Sequence, residues 1–296
     1  MPYLSSTKNP EAVIISVGTK KAYINLIESF LLFDIFVGSS LILETKFTVS
    51  NGQQNRQSTV LKEMRNDSIS YGDLSNKQQT GYYIAGKKSS DGGVLEQEAG
   101  KLRNQNFRLS SGTLTSEFDR PIKTTKNNDI RRVDQLLKNK KMVSLGNHYR
   151  YNKELSDKNT LVYTQMLEGK PLFSNDGQIR FRINSDHEIT GYTQTYLQDV
   201  EILRQRSNTI SQRRAITWLY KHNQIPNNSR IRWSVLSYSK LLNTTTDDKA
   251  VYVPTWTVEI KTKNSGVIQQ LQVNAFNSTV MKETPDSVNT NSLNNK

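Results

Sequence analysis

The stretch from Ala22 to Leu43 reads AYINLIESFLLFDIFVGSSLIL, and 15 of its 22 residues are apolar in a chain that is otherwise polar. As a helix it would run about 33 Å at 1.5 Å per residue, enough to cross a hydrocarbon layer of about 30 Å. Lys20 and Lys21 stand before it and Glu44 after it. The positive-inside bias therefore predicts residues 1–21 in the cytoplasm, 22–43 in the membrane and the rest outside. Basic residues downstream do not overturn that orientation, because large domains translocate largely regardless of charge. Two other readings stay open. One is a cleaved signal peptide, with Lys20-Lys21 as its basic region and Gly38-Ser39-Ser40 as its small-residue site. The other is a helix buried in a globular core, since Asn25, Glu28 and Asp34 are unusual in lipid, where a carboxylate near mid-helix costs about 3 kcal/mol.

On the anchor reading, ionisable residues inside the membrane face a partner or a cavity rather than acyl chains. Asp34 lies near the middle of the span and is expected to hydrogen-bond to another protein's transmembrane helix. Glu28 lies nearer the cytoplasmic end and can reach toward water. The simpler alternative is an Asp34 that stays protonated and is merely tolerated.

The chain carries a net charge of +13, which suits nucleic acid, lipid head groups or an anionic wall polymer. Residues 1–43 hold three lysines against three carboxylates, so the whole excess belongs to the segment after the span. With that segment outside the cell no nucleic acid is in reach, and an anionic cell-wall polymer or the outer leaflet is the available anion. The absence of cysteine removes disulfides, thiolate zinc sites and cysteine nucleophiles. Thirteen tyrosines, nine phenylalanines and three tryptophans supply enough to bury for the chain to fold.

Periodicity predicts an α+β architecture. A helix is expected around Gln57–Arg65, a loop at Ser89–Gly93 and a strand at Tyr82–Ala85. Asn128 is a cap candidate for a helix burying Ile130, Val133, Leu136 and Leu137, and strands follow at Tyr149–Tyr151, Leu161–Met166, Gln178–Ile183 and Ile189–Leu197, with a turn at Asn184–Glu188. Ser211 then caps a helix burying Ala215, Ile216, Leu219 and Tyr220, followed by strands at Ile231–Tyr238, Ala250–Ile260 and Gly266–Phe276. Arg131-Arg132 and Arg213-Arg214, 82 residues apart, each open such a unit. The expectation is a tandem duplication of helix plus antiparallel meander, near 125–200 and 208–280, within a domain of 44–280. Pro254 inside a strand predicts an edge or a bulge. Residues 281–296 are polar and without periodicity, the pattern of a disordered tail.

No phosphate-binding loop, zinc-protease, nucleophile-elbow or calcium-loop motif is present. His148, His187 and His222 stand apart, none with a second ligand at helical spacing, and read as solvated or helix-end residues. Ser237-Tyr238-Ser239-Lys240 matches S-x-x-K, but it continues a β-alternating run in which the two side chains point to opposite faces. Its companion motifs are missing, so chance is the better explanation. Arg230–Trp233 and His148–Tyr151 interleave basic and aromatic residues, a pattern that stacks on nucleic acid but more commonly marks a solvated sheet face. The expectation is a non-enzyme with no cofactor and no metal; a wall hydrolase or protease inhibitor with a non-obvious site is the catalytic-class alternative.

Ala215–Tyr220 before Ile225-Pro226, Val251–Trp256 and Val273–Ala275 resemble the C-terminal half of the YycI (WalI) family. Gly169–Phe173, Gly177–Phe181, Ile189–Gln194 and, in the span, Phe33-Asp34-Ile35-Phe36 fit the same family, so that the resemblance runs from about Lys20 to Phe276. It implies a single-pass protein of the cell membrane with an extracytoplasmic PepSY-like α+β domain and no catalysis. It further implies a YycH-like partner and the sensor histidine kinase WalK of a two-component system, met in part through transmembrane helices. Glu28, Phe33 and Asp34 are the expected partner-contacting residues. The exported alternative is a binding module for an anionic envelope polymer. The 19 residues before Lys20 are a longer lead than the family leads one to expect.

Overall fold

A computed structural model describes residues 52–125, 128–244 and 248–281. Of the two compact units into which the chain divides, Met1–Arg56 and Gln57–Lys296, the second holds every strand described. The expected span, the expected tail after Met281 and the residues Glu28, Phe33 and Asp34 lie outside the described residues, whereas Met281, the first residue assigned to that tail, ends a short strand. Among the described residues no helix is long and apolar enough to cross a membrane.

The architecture is mixed α+β and dominated by antiparallel sheet. Four α-helices are described, α1 (Gly52–Asn66), α2 (Val94–Ala99), α3 (Asp129–Lys138) and α4 (Gln212–Lys221), with a single 3-10 turn at Gly146–His148. The first sheet is built from β3 (Gln105–Ser110), β4 (Thr113–Lys123), β5 (Tyr149–Tyr151), β6 (Thr160–Leu167), β8 (Gln178–Ile183) and β9 (Glu188–Gln194), in the order β3-β4-β9-β8-β6-β5. The two-residue β7 (Lys170–Pro171) pairs with β6. The second sheet contains β2 (Ile84–Lys88), β10 (Leu197–Ile202), β12 (Ser229–Asn243), β13 (Ala250–Thr262), β14 (Ile268–Asn274) and β15 (Val280–Met281), ordered β10-β2-β13-β14-β15 with β12 also on β13. A small ribbon joins β1 (Thr80–Gly81) to β11 (Ser207–Asn208).

Each sheet buries one face against a pair of helices. Leu95 and Ala99 of α2 and Val133, Leu136 and Leu137 of α3 share a core with Tyr163, Phe181 and Tyr192 of the first sheet. Val60 and Met64 of α1 and Ala215, Ile216 and Leu219 of α4 share another with Trp256, Val258 and Ile260 of the second. The alternation Ile179, Phe181, Ile183 buries its apolar members, as period-two patterning requires.

The caps behave differently. Ser211 caps α4 as expected, its Oγ accepting from Arg214 N at 3.2 Å, whereas the Asn128 side chain makes no cap bond to α3. Ile130, placed by periodicity on the buried stripe, is 40% exposed. The predicted strand Ile189–Leu197 ends early, because after Gln194 the chain leaves the first sheet and Leu197 begins β10 in the second.

Pro254 corrects a second expectation. It sits in β13, which is central, flanked by β12 on one side and by β2 and then β14 on the other. A residue's N–H and C=O point to the same side of a strand, and the Pro254 carbonyl accepts from Ala275 N at 2.8 Å. Its missing N–H therefore falls on the β2/β14 side, after β2 stops at Tyr252 and before β14 begins at Thr255, so no bond to β12 is lost. Gly81 packs over this proline so closely that a Cβ there would collide with Pro254 Cγ.

The β3–β4 hairpin lies in a stretch to which the sequence patterning assigns no element. Its two-residue turn, Ser111-Gly112, has φ of 49° and 69°, the both-positive geometry of the type I′ turns that match strand twist. Gly112 has a further reason to lack a side chain: a Cβ there would meet the Ser89 carbonyl oxygen.

Candidate functional site

The two sheets meet at a seam formed by β7 and the loop after it. Leu172 lies opposite Tyr238 of β12 in a parallel bridge, and Phe173 N donates to the Tyr238 carbonyl at 2.8 Å. Around them Ile84, Leu167, Leu197, Ala250 and Tyr252 are buried. Gln165 fastens the point where the chain crosses between sheets: its Nε2 donates to the Leu197 carbonyl at 2.8 Å and its Oε1 accepts from Leu197 N at 2.9 Å. Its amide does for Leu197 what a neighbouring strand would do.

At the centre of the seam is Asp176. Its Oδ2 accepts from Ser174 Oγ at 2.9 Å, from Tyr252 OH at 2.6 Å and pairs with Lys240 Nζ at 2.7 Å. The Asp176 and Lys240 side chains are only 8% and 9% exposed. Burial by itself pushes the Asp176 carboxyl up, but hydrogen bonds from Lys240, Tyr252 and Ser174, with the Lys240 charge, outweigh it and hold the carboxyl below the usual range. Nearby, burial pushes the Tyr238 phenol up to about 12 while the Tyr82 N–H donating to it pulls the other way.

Chemically this cluster is a clamp. Both hydroxyls donate into the carboxylate, so neither is activated as a nucleophile, and no histidine reaches it. Its partners come from both sheets: Ser174 and Asp176 from the loop entering β8, Lys240 from β12 and Tyr252 from β13. Removing one member of a buried pair leaves the other uncompensated, which is costly in a low-dielectric site.

The residues singled out by motif are scattered. Ser237 is buried, with Oγ 3.4 Å from the Thr255 carbonyl and 3.3 Å from Thr257 Oγ1, on the strand face opposite Lys240, so the S-x-x-K match is coincidental. Its lysine nevertheless matters, through Asp176, which no local pattern marks. His148 sits edge-on to Tyr196 at 5.5 Å, His187 occupies the β8–β9 turn with φ of 56°, and His222 stacks on Trp218 at the end of α4. Among the described residues no group of three or more His, Cys, Asp or Glu is placed to hold a metal ion.

The basic-aromatic stretches form no stacking platform. Tyr149 is buried, Tyr151 packs on Tyr163, and Arg150 Nη1 donates to the Asn147 and Tyr149 carbonyls. Arg232 pairs with Glu259 Oε1 at 2.7 Å, while Trp233 packs edge-on against Phe173.

Two helix-covered antiparallel sheets joined by a buried ionic clamp define an α+β domain whose polar centre links the two sheets. The family model described as YycI protein matches residues 48–276, and the chain belongs to the YycI family. Membership implies a role in regulation of the WalK/WalR two-component system. A search of curated proteins found no significant match. Among solved structures the chain is similar to an uncharacterized protein from Eubacterium rectale (TM-score 0.47, 9% identity, covering 74% of this chain and 92% of that one). It is also similar to the YpeB C-terminal domain of Bacillus megaterium (TM-score 0.35, 13% identity, covering 79% and 96%).

Proposed function

We propose that the chain is a membrane-anchored, non-catalytic accessory regulator that modulates the WalK sensor kinase together with a YycH-like protein. The observation that carries this reading is the family match across residues 48–276. In this reading residues 22–43 form a single span with the N-terminus inside, and the rest of the chain is extracytoplasmic. The two helix-plus-meander units are a PepSY-like duplication.

The mechanism follows from the thermodynamics of coupled states. A regulator shifts a kinase between signalling states only by contacting them differently. Asp34, with Glu28 and Phe33 on the same span, would supply that difference inside the membrane, where a buried carboxyl seeks a hydrogen-bond partner. The outer domain would supply the input.

Deleting the gene is expected to change transcription of WalR-controlled cell-wall genes; unchanged output would sink the regulatory reading. Asp34→Leu is expected to reduce co-purification with the kinase from native membranes. Wild-type recovery with that variant would remove the transmembrane part of the proposal and leave the outer domain as the contact.

A further inference from the structure

A cleft of about 660 Å³ opens where the end of α1, the loop 68–74, the start of α4 and the β13–β14 turn come together. Its volume is that of a small-molecule site. Its polar wall is cationic: Arg65, Arg213 and Lys263 line it, with Asp73 the carboxylate on the same wall. Among the described residues none of the three cations has a carboxylate within 4.0 Å. The cleft is thus left two positive charges in excess.

The wall is held in place before any ligand arrives. Ser70 N donates to the Ser229 carbonyl and Ile231 N to the Ser70 carbonyl, both at 2.9 Å, while Tyr71 OH donates to the Leu61 carbonyl at 2.8 Å. At the far side Arg213 N donates to the Ser75 carbonyl at 3.0 Å, and Ser75 N donates to Gln212 Oε1 at 2.8 Å. The Arg213 guanidinium gives one N–H to the Leu74 carbonyl at 3.2 Å, and its Nε is without a partner. The Arg65 guanidinium lies over the Tyr71 ring, 5.8 Å from its centre, so an aromatic face borders the cations. Lys263 Nζ donates to the Ser68 carbonyl at 2.5 Å, and three cations without a carboxylate within 4.0 Å, in a cavity with apolar Leu61 and Leu74 beside them, favour an anion that carries about two charges and several acceptor oxygens on a small organic body.

We infer that this cleft binds a phosphate monoester, with Arg65, Arg213 and Lys263 holding the phosphate oxygens. The inference stands apart from the kinase reading: a chain that failed to alter kinase output would still bind the anion. The phosphate could belong to a soluble ester or to a lipid head group, and the two are separable by experiment.

The test is calorimetric titration of the full chain, held in phosphatidylcholine nanodiscs, with glycerol 3-phosphate. A parallel arm measures binding to vesicles containing phosphatidic acid against vesicles of phosphatidylcholine alone. Saturable one-site binding is expected. Arg65→Gln/Lys263→Gln, at two exposed positions, is expected to weaken it about tenfold or more, as loss of charge-assisted hydrogen bonds does. Arg213→Gln is expected to act in the same direction, and the exposed-site double variant keeps the test valid if Arg213→Gln misfolds. Lys153→Gln/Lys158→Gln, which removes the same net charge from exposed residues that do not line the cleft, is expected to leave affinity unchanged. Binding of glycerol 3-phosphate identifies a soluble ester; binding confined to phosphatidic acid vesicles identifies a head group. No binding of either up to about 10 mM phosphate, or equal weakening by the Lys153/Lys158 variant, overturns the site.

Discussion

Beneath α2 and α3 the first sheet packs Phe118, Tyr149, Tyr163, Phe181 and Tyr192, whereas beneath α1 and α4 the second packs Ile231, Leu236, Val258, Ile260 and Val273 around Trp256. The aromatic core is also wired to its cover. Tyr163 OH donates to Asp134 Oδ1 at 3.0 Å and lies 3.2 Å from the Ile130 carbonyl, and Tyr192 OH donates to the Met142 carbonyl at 3.0 Å. Burial, the largest influence on both phenols, pushes them well above their ordinary value, so they remain neutral donors. Among the fully buried residues described in the aliphatic core, Trp256 supplies one such wire, Nε1 to the Ile210 carbonyl at 3.0 Å; the half-buried Tyr71 and Tyr220 at its edge add bonds to the Leu61 carbonyl and to Asp67, and α4 carries a side-chain cap. Large rings with polar ends fix the position of a helix through directional bonds; branched aliphatics fix it through fit alone and leave the helix ends to hold themselves.

The contrast can be broken at its strongest point first. Phe181→Ala is expected to lower stability by about 3–5 kcal/mol, because it opens a cavity among rings that cannot collapse into it; denaturant unfolding of the full chain in detergent measures it. Next, Lys240→Met is expected to cost about 3 kcal/mol by stranding Asp176 between the sheets, and Asp176→Leu with Lys240→Met is expected to recover part of that loss. Such recovery would show that the clamp gives alignment more than net stability. A loss that simply adds would show the reverse.

Acid titration sharpens the same point. Because the Asp176 carboxyl titrates lower in the folded chain than in the unfolded one, its stabilisation is complete above the unfolded value of about 4 and is lost as pH falls through the folded value beneath it. Stability measured from pH 6 downward is expected to fall less steeply below about pH 4 in Asp176→Asn than in the wild type. The smallest expected effects concern the caps. Ser211→Ala should cost about 1 kcal/mol, whereas Asn128→Ala should cost only a few tenths, since only the serine makes its cap bond. Equal losses would mean that the two helices are held alike after all.

What could be read beforehand follows the same division between local and distant causes. The helix after Ser211, the alternation of Ile179, Phe181 and Ile183 and the turn at Asn184 are all written within a few residues, and the structure has them. The β3–β4 hairpin is hard to read because β3 buries little beyond Gln105 and the alternating positions of β4, Leu114, Ser116 and Phe118, include a polar residue that breaks the apolar pattern. Its turn, Ser111-Gly112, was the available signal. The clamp was invisible for a different reason: Asp176 and Lys240 are brought together only by the crossing of two sheets, and the match that drew attention to Lys240 pointed to the wrong neighbour. The basic cleft likewise gathers Arg65, Arg213 and Lys263 from three distant segments. Arg213 was visible as the start of a helix, not as part of a site.

The pairing of β2 with β13, which sets Ile84 against Tyr252 and Gly86 against Ala250, has a consequence for how the chain is made. A strand synthesised early has its place in a sheet whose central member comes more than 160 residues later. Until that member emerges, residues 84–88 have no partner on the β13 side, and closing so long a loop is the slow, non-local kind of step. The second sheet must therefore be completed late, and β2, even once β10 has paired with its other edge, keeps its β13 edge open to premature association until then.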